Sequence, residues 1–257
     1  MNAKIGLQIW ALREDFVEEP YETLKKIKAM GYTGVELVSS KLTKSASEYR
    51  AMLDEIGLEC YGLLTGYKNL SAELLPETIE LCRGLGTDNI VIGSINFSEL
   101  SESPDAPVRI VKELCDIHDT LLKAGFNSGY HNHDSDFKNT VGDKSFFEFV
   151  LENTPDSFLM VLDTGNAVAG GGDPVALMKK YGNRAKIIHL KGYSEENKYL
   201  APVWECDYGI DEIVELALNN STTEYIDIEF GARGEYDPTE RAARSAEWLG
   251  THKALKE

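Results

Sequence analysis

Asp163 and His189 are placed so that a carboxylate and an imidazole can share a metal ion. Each closes an apolar run. Residues 158–162 end at Asp163, and residues 185–190 carry His189 near their end. Between the runs, Asp173-Pro174 opens a helix, with Asp as N-cap and Pro in the first turn, where its missing N–H costs nothing. That helix ends near Gly182. Two strands joined by a helix pair in parallel with a right-handed crossover. Asp163 and His189 therefore reach the same edge of one sheet, on neighbouring strands.

The rest of the chain repeats this unit. Apolar strand-like runs fall at 5–10, 34–38, 58–64, 89–93, 128–132, 158–162, 185–190 and 225–229. Helical patterns fall at 21–30, 47–56, 71–85, 107–124, 145–152, 173–182, 211–219 and 238–249, several of them closed by glycine. Eight strand–helix pairs with no linker predict a parallel sheet closed on itself. The fold class is α/β, a single-domain (β/α)8 TIM barrel over residues 1–257, close to the roughly 250 residues typical of that architecture. No GxGxxG or GxxxxGK[ST] follows the first strand, which argues against a nucleotide-binding sheet.

In such a barrel, chemistry sits at the C-terminal ends of the strands. Polar residues there are Gln8 and Trp10, Glu36, His131 and His133, Asp163, His189 and Lys191, and Asp227 and Glu229. Alternation along a strand turns i and i+2 to one face, so His131 with His133, His189 with Lys191, and Asp227 with Glu229 should point together. Three of the five histidines fall on this face, whereas His118 lies in a helix and His252 in the tail, both read as structural or solvated. One strand histidine is as often a hydrogen-bonded structural group. Three beside Asp163 and Glu229 suit a divalent ion such as Mn²⁺, Zn²⁺, Co²⁺ or Mg²⁺. Glu36 reads either as a sugar-binding or metal-supporting group or as an ion-pair partner at the barrel mouth. Lys191 can polarise a carbonyl, bind an anion or pair with a carboxylate. Trp10 offers an apolar wall for a sugar ring, or packing.

Composition narrows the class. The net charge of −17 and pI near 4.7 repel phosphate backbones, so no nucleic-acid partner is expected. No window has the roughly 18 apolar residues of a membrane span, and no membrane partner is expected. Cys60, Cys82, Cys115 and Cys206 have no CxxC spacing and read as reduced thiols. With no apolar stretch of signal-peptide length among the first sixteen residues, a cytoplasmic protein is expected. The oligomeric state is open, a homo-oligomer included.

At these residues the chain resembles the sugar phosphate isomerase/epimerase family, the xylose-isomerase-like barrels. IGLQIWALR resembles the family's opening strand, YHNHDSDF a motif of one branch, and LDTGNAVAGGGDP, IIHLKGY and YIDIEFGARGEYDP its sixth, seventh and eighth strand motifs. The resemblance implies one divalent metal held by Glu, Asp, His and Glu from strands five to eight. Carried over, these are Asp163, His189 and Glu229, with His131 where the family has its first Glu. His131 is then a metal ligand or a base, with His133 or Asp136 as substitutes, and Asp136 stands where that branch commonly has Glu. Asn166 occupies a position that is often His. The implied catalytic group is Glu229 with His131 and Lys191, and Trp10, Glu36, His133 and Asp136 are expected at the substrate.

The implied activity is isomerisation or epimerisation of a ketose or keto-sugar, a small-molecule partner, by proton transfer next to a carbonyl. An alternative is a lyase or hydrolase acting on 3-keto-glycosides through the same metal site, and a further one is a catalytically degenerate sugar-binding barrel. An endonuclease for abasic DNA shares the barrel, but it needs a histidine-rich three-metal cluster and a basic surface.

Overall fold

The computed structural model describes residues 3–100, 103–231 and 234–252. Ala232 and Arg233 of the last motif lie outside the described residues. Eight parallel strands close into a barrel: β1 Lys4–Gln8, β2 Gly34–Val38, β3 Glu59–Thr65, β4 Asn89–Ile92, β5 Asn127–His131, β6 Leu159–Asp163, β7 Ile187–Lys191 and β8 Tyr225–Glu229. Neighbours in space follow the chain order, and β8 pairs back onto β1, Gly6 opposite Asp227. Outside lie α1 Pro20–Ala29, α2 Ala46–Ile56, α3 Leu75–Leu85, α4 Ala106–Lys123, α5 Phe146–Glu152, α6 Pro174–Tyr181, α7 Ile210–Leu218 and α8 Pro238–Gly250. The expected single barrel is what the chain forms.

Local chemistry sets the helix ends. Ser45 caps α2 in a capping box with Glu48, and Gly57 closes that helix at φ 76°, a conformation that favours glycine. Asp173 accepts a bond from the N–H of Ala176 and Pro174 begins α6, as the sequence implies. His118, inside α4, is held between Ser128 and Ser157 at 2.8 Å each. Among the described residues no helix is long and apolar enough to cross a membrane, and all four cysteines are free.

Alternation along the strands separates two cores. On β7, Ile188 and Leu190 pack outward against the helices, and on β8 Ile226 and Ile228 do the same. Inward, Tyr61, Val91, Leu159, Val161, Ile187 and Tyr225 form a compact plug inside the barrel. Above that plug the inward positions turn polar: Asp163 follows Val161 on β6, His189 and Lys191 follow Ile187 on β7, and Asp227 and Glu229 follow Tyr225 on β8. The barrel thus carries an apolar floor and a charged upper layer.

Three local features depart from the sequence reading. The first strand stops at Gln8, because its side chain accepts a bond from the Trp10 N–H at 2.6 Å and closes a 3-10 turn, Ile9–Leu12. Trp10 sits on that turn rather than on the strand. Asp163 caps a short helix, Thr164–Ala169, ahead of α6, where the sequence pattern marks no helix. After a short helix, Asp134–Lys138, a two-stranded hairpin of Thr140–Val141 with Lys144–Ser145 precedes α5.

Candidate metal and substrate site

The ends of β5 to β8 bring His131, Asp163, His189 and Glu229 together. Register does this directly: Asp163 pairs with His189, His189 with Asp227, and Lys191 with Glu229. His131 Nε2 lies 3.9 Å from both Asp163 Oδ2 and Glu229 Oε2. His189 Nδ1 lies 2.8 Å from Glu229 Oε2. The ligand-type atoms of His131, His189 and Glu229 lie within 4.8 Å of one another, and all three residues are buried.

Asp163 is held from three sides. Its backbone N–H donates to Asn132 Oδ1 at 2.8 Å, and its carbonyl accepts from Asn132 Nδ2 at 3.0 Å. Its carboxylate accepts from the N–H and the side-chain amide of Asn166, at 2.8 and 2.9 Å. Asn132 was not recognised from sequence as a functional residue. The only signal for it is its position between His131 and His133 at a strand end, and its partner is 31 residues away.

Lys191 closes the site electrostatically, with Nζ 3.2 Å from Asp163 Oδ2 and 2.9 Å from Glu229 Oε1. Burial opposes its charge, but these two carboxylates outweigh that and hold its pKa above the usual lysine value. Burial pushes Asp163 up to about 6 against the pull of Lys191. Burial also acts to raise Glu229, yet Lys191 and the bond from His189 hold it well below the usual carboxylate range, so it is ionised at neutral pH. Burial drives His131 well below the ordinary histidine value and lowers His133, leaving both neutral. A neutral imidazole is the form that binds metal.

The donor set fits a divalent ion. The imidazoles of His131 and His189 converge with the Glu229 carboxylate, and Asp163 Oδ2 lies beside His131. His131 is neutral and its buried Nδ1 has no hydrogen-bond partner. Burial opposes a charge on His189, but the carboxylates of Glu36, Asp227 and Glu229 hold it well above the ordinary histidine value, so an ion there would displace its proton. Oxygen with imidazole donors and no thiolate matches Zn²⁺, Mn²⁺, Co²⁺ or Mg²⁺ rather than a structural zinc.

A cavity of about 470 Å³ opens over the site. His131, His133, Lys191 and Glu229 lie on one side, and Gln8, Trp10, Ser39, Thr65 and Asn69 on the other. His131 and His133 do point together, their ring centroids 4.9 Å apart. Trp10 offers the cavity an indole with Lys41 Nζ 4.7 Å from its ring centre. Thr65 and Asn69, joined by a 2.9 Å hydrogen bond, were missed in the sequence because they follow a plain apolar strand.

Two residues expected at the substrate do not line this cavity. Glu36 is fully buried inside the barrel, with Oε2 3.3 Å from His189 Nε2. Alternation on β2 turns it inward, but at the depth of the layer beneath the cavity. Asp136 is also fully buried. It accepts bonds from the Tyr130 hydroxyl at 2.6 Å and the His133 N–H at 2.7 Å, so it braces the start of the Asp134–Lys138 helix.

Asp136 has a measurable signature. Burial pushes its carboxyl up to about 7 despite those two hydrogen bonds. Its folded value lies above the unfolded one near ~3.9. Its contribution to stability is therefore full below about pH 4 and lost as pH rises through about 7. In Asp136→Asn that dependence is gone. The variant's stability relative to wild type should rise between pH 4 and 7, by up to ~1.4 kcal/mol per pH unit. Urea unfolding across this range checks it, and a flat difference contradicts it.

The barrel has relatives. The chain is 24% identical over 218 residues to the rhizopine catabolism protein MocC of Rhizobium meliloti, a match covering 74% of this chain and 65% of that protein. The chain thus spans less than two thirds of that relative's length. A sugar phosphate isomerase/epimerase from Parabacteroides distasonis superposes with a TM-score of 0.80 at 22% identity, covering 99% of this chain and 96% of the other. A xylose isomerase-like TIM barrel protein from Mycobacterium smegmatis, in complex with magnesium, superposes with a TM-score of 0.70 at 14% identity, covering 98% of each chain. The family model for xylose isomerase-like TIM barrels matches residues 24–252. With nearly the whole barrel matched, the chain belongs to the xylose isomerase-like TIM barrel family.

Proposed function

We propose that the protein is a divalent-metal-dependent isomerase or epimerase that transfers a proton next to the carbonyl of a ketose or keto-sugar. The observation that carries this reading is the convergence of His131, His189 and Glu229, with Asp163 beside His131, under a cavity, with Glu229 ionised and His131 neutral. The sugar isomerase/epimerase and magnesium-bound relatives support it.

His131, Asp163, His189 and Glu229 would hold one ion. When bound there, it supplies positive charge against the negative charge that develops on the substrate's oxygens. Glu229 is the group that takes the proton on the α-carbon, because it is the ionised carboxylate on the cavity wall. Lys191 donates hydrogen bonds from within the site and neutralises developing negative charge. Protonated Glu229 is placed to return the same proton to the neighbouring carbon, and for return to the other face the neutral His131 and His133 on the cavity wall could relay a proton from water, accepting one as they donate one. Trp10 offers its ring as a wall for the sugar, and Asn132 and Asn166 fix Asp163.

A second reading is favoured by the same wall. Glu229 is the one carboxylate among the cavity-lining residues described, and the group across β5 is imidazole. One carboxylate base with a neutral imidazole also suits elimination from a 3-keto-glycoside. The test is proton exchange: Mn²⁺-loaded protein in D₂O with a panel of ketoses, keto-sugars and 3-keto-glycosides. Deuterium at the carbon next to the carbonyl is expected with at least one of them, and release of an aglycone would favour the lyase. Absence of exchange across the panel, with metal bound, would sink both.

A further inference from the structure

The layer directly beneath the metal site is where a TIM barrel is ordinarily filled by bulky branched residues. Here it holds Glu36, His189 and Asp227, all wholly buried. The barrel is shaped to accommodate them. Pairing between β2 and β3 slips where Val35 faces Cys60 and Glu36 faces Gly62, leaving Tyr61 as the extra residue, the kind of bulge that re-aims a side chain. The Tyr61 hydroxyl donates to Asp227 Oδ2. A Cβ at Gly6 would fall on that hydroxyl, and one at Gly62 would lie 3.0 Å from Glu36 Oε1. The absence of side chains at these two positions makes the room.

Both oxygens of Glu36 lack a hydrogen-bond partner, although the residue is fully buried. An unpaired buried carboxylate is costly, and such a group in a native fold calls for an explanation. Its Oε2 lies 3.3 Å from His189 Nε2, itself without a formed hydrogen bond, while Asp227 Oδ2 lies 3.6 Å from the same nitrogen. The other ring nitrogen, Nδ1, donates to Glu229 Oε2 at 2.8 Å on the site side, so an ion at Nδ1 would take the place of that proton.

From this geometry we infer that Glu36, assisted by Asp227 and Tyr61, is a positioning residue. It receives the Nε2–H of His189, fixes the tautomer, and so presents Nδ1 as the metal-binding atom. A metal-bound histidine commonly donates its second N–H to a carboxylate, which orients the ring and raises its basicity. This inference rests on the divalent-metal reading above and goes beyond it: it names the donor atom and removes Glu36 from the substrate. Glu36, His189 and Asp227 could themselves surround an ion, but none of them lines the cavity, so we read the cluster as support for the site above it.

The test is Glu36→Gln, which keeps the side-chain shape and removes the charge. Mn²⁺ affinity is measured by titration calorimetry, the visible spectrum is recorded with Co²⁺, and thermal unfolding is followed in chelator. The inference expects one ion per chain, a Mn²⁺ Kd raised about 10- to 100-fold, shifted Co²⁺ bands, and a metal-free unfolding midpoint equal to or above wild type. A purely structural role would move the midpoint and leave the spectrum alone. A Kd within twofold of wild type with an unchanged Co²⁺ spectrum would overturn it. So would a second ion per chain in the wild type that is lost in the variant. If Glu36→Gln does not fold, Asp227→Asn is measured in its place. The same direction is expected, and unaltered affinity would count against the inference. Wild-type protein that takes up no metal would instead defeat the reading on which it rests.

Discussion

Exchange of Glu229 for Gln is expected to lower turnover of a keto-sugar substrate by about 100- to 10,000-fold, the usual contribution of a positioned base. The substitution keeps the volume of the side chain and a carbonyl oxygen, so the barrel should fold. Glu229 carries two contacts that matter: Oε2 meets His189 Nδ1 at 2.8 Å, and Oε1 meets Lys191 Nζ at 2.9 Å. Those contacts keep it ionised in a buried site. A glutamine cannot accept a proton at neutral pH, so the loss should appear in kcat and in solvent deuterium exchange alike. Because Glu229 is also placed among the metal-holding residues, both quantities are measured at saturating Mn²⁺. Turnover within tenfold of wild type would remove Glu229 from the base role.

Lys191→Met should have the largest effect on the metal-free fold. Lys191 is 12% exposed and is bonded to Asp163 and Glu229, whose side chains are 0% and 7% exposed. Removing one partner from a buried ion network leaves the others uncompensated, at a cost of about 3–5 kcal/mol. In chelator, the variant should unfold at clearly lower temperature than wild type. A divalent ion supplies the missing positive charge, so Mn²⁺ should recover stability in the variant, by about 2.7 kcal/mol at a hundred times its Kd. Metal affinity should match or exceed the wild-type value, because Lys191 no longer competes for the same carboxylates. Equal unfolding temperatures in chelator, or no response to Mn²⁺, would contradict this account.

Much of this arrangement is written in strand alternation. The runs ending at Asp163, His189 and Glu229 name their own inward faces, and the parallel crossover places the first two side by side. That is why the upper half of β6 to β8 is legible from residues 158–229. Depth is harder. Alternation gives the face of Glu36 but not its level, and the level separates a cavity wall from the layer beneath His189. Asp136 is obscured for a different reason. At the third position of a short helix it serves the His133 N–H and the Tyr130 hydroxyl, and nothing in YHNHDSDF distinguishes that from reaching into the site. Tyr61 could not be read at all. Its inward aim comes from a slip in pairing with β2, and its partner Asp227 is 166 residues away. Trp10 was placed on the strand because IGLQIW is uniformly apolar apart from Gln8, the residue that ends it.

The central claim is that the ends of β5 to β8 hold one divalent ion. Its most direct test is metal content after the purified protein is reconstituted with Mn²⁺ or Zn²⁺ and dialysed, compared with Asp163→Asn and His189→Ala treated identically. The account predicts one ion per wild-type chain and none retained by either variant. A wild-type chain without stoichiometric metal, or variants that retain it, would contradict the account.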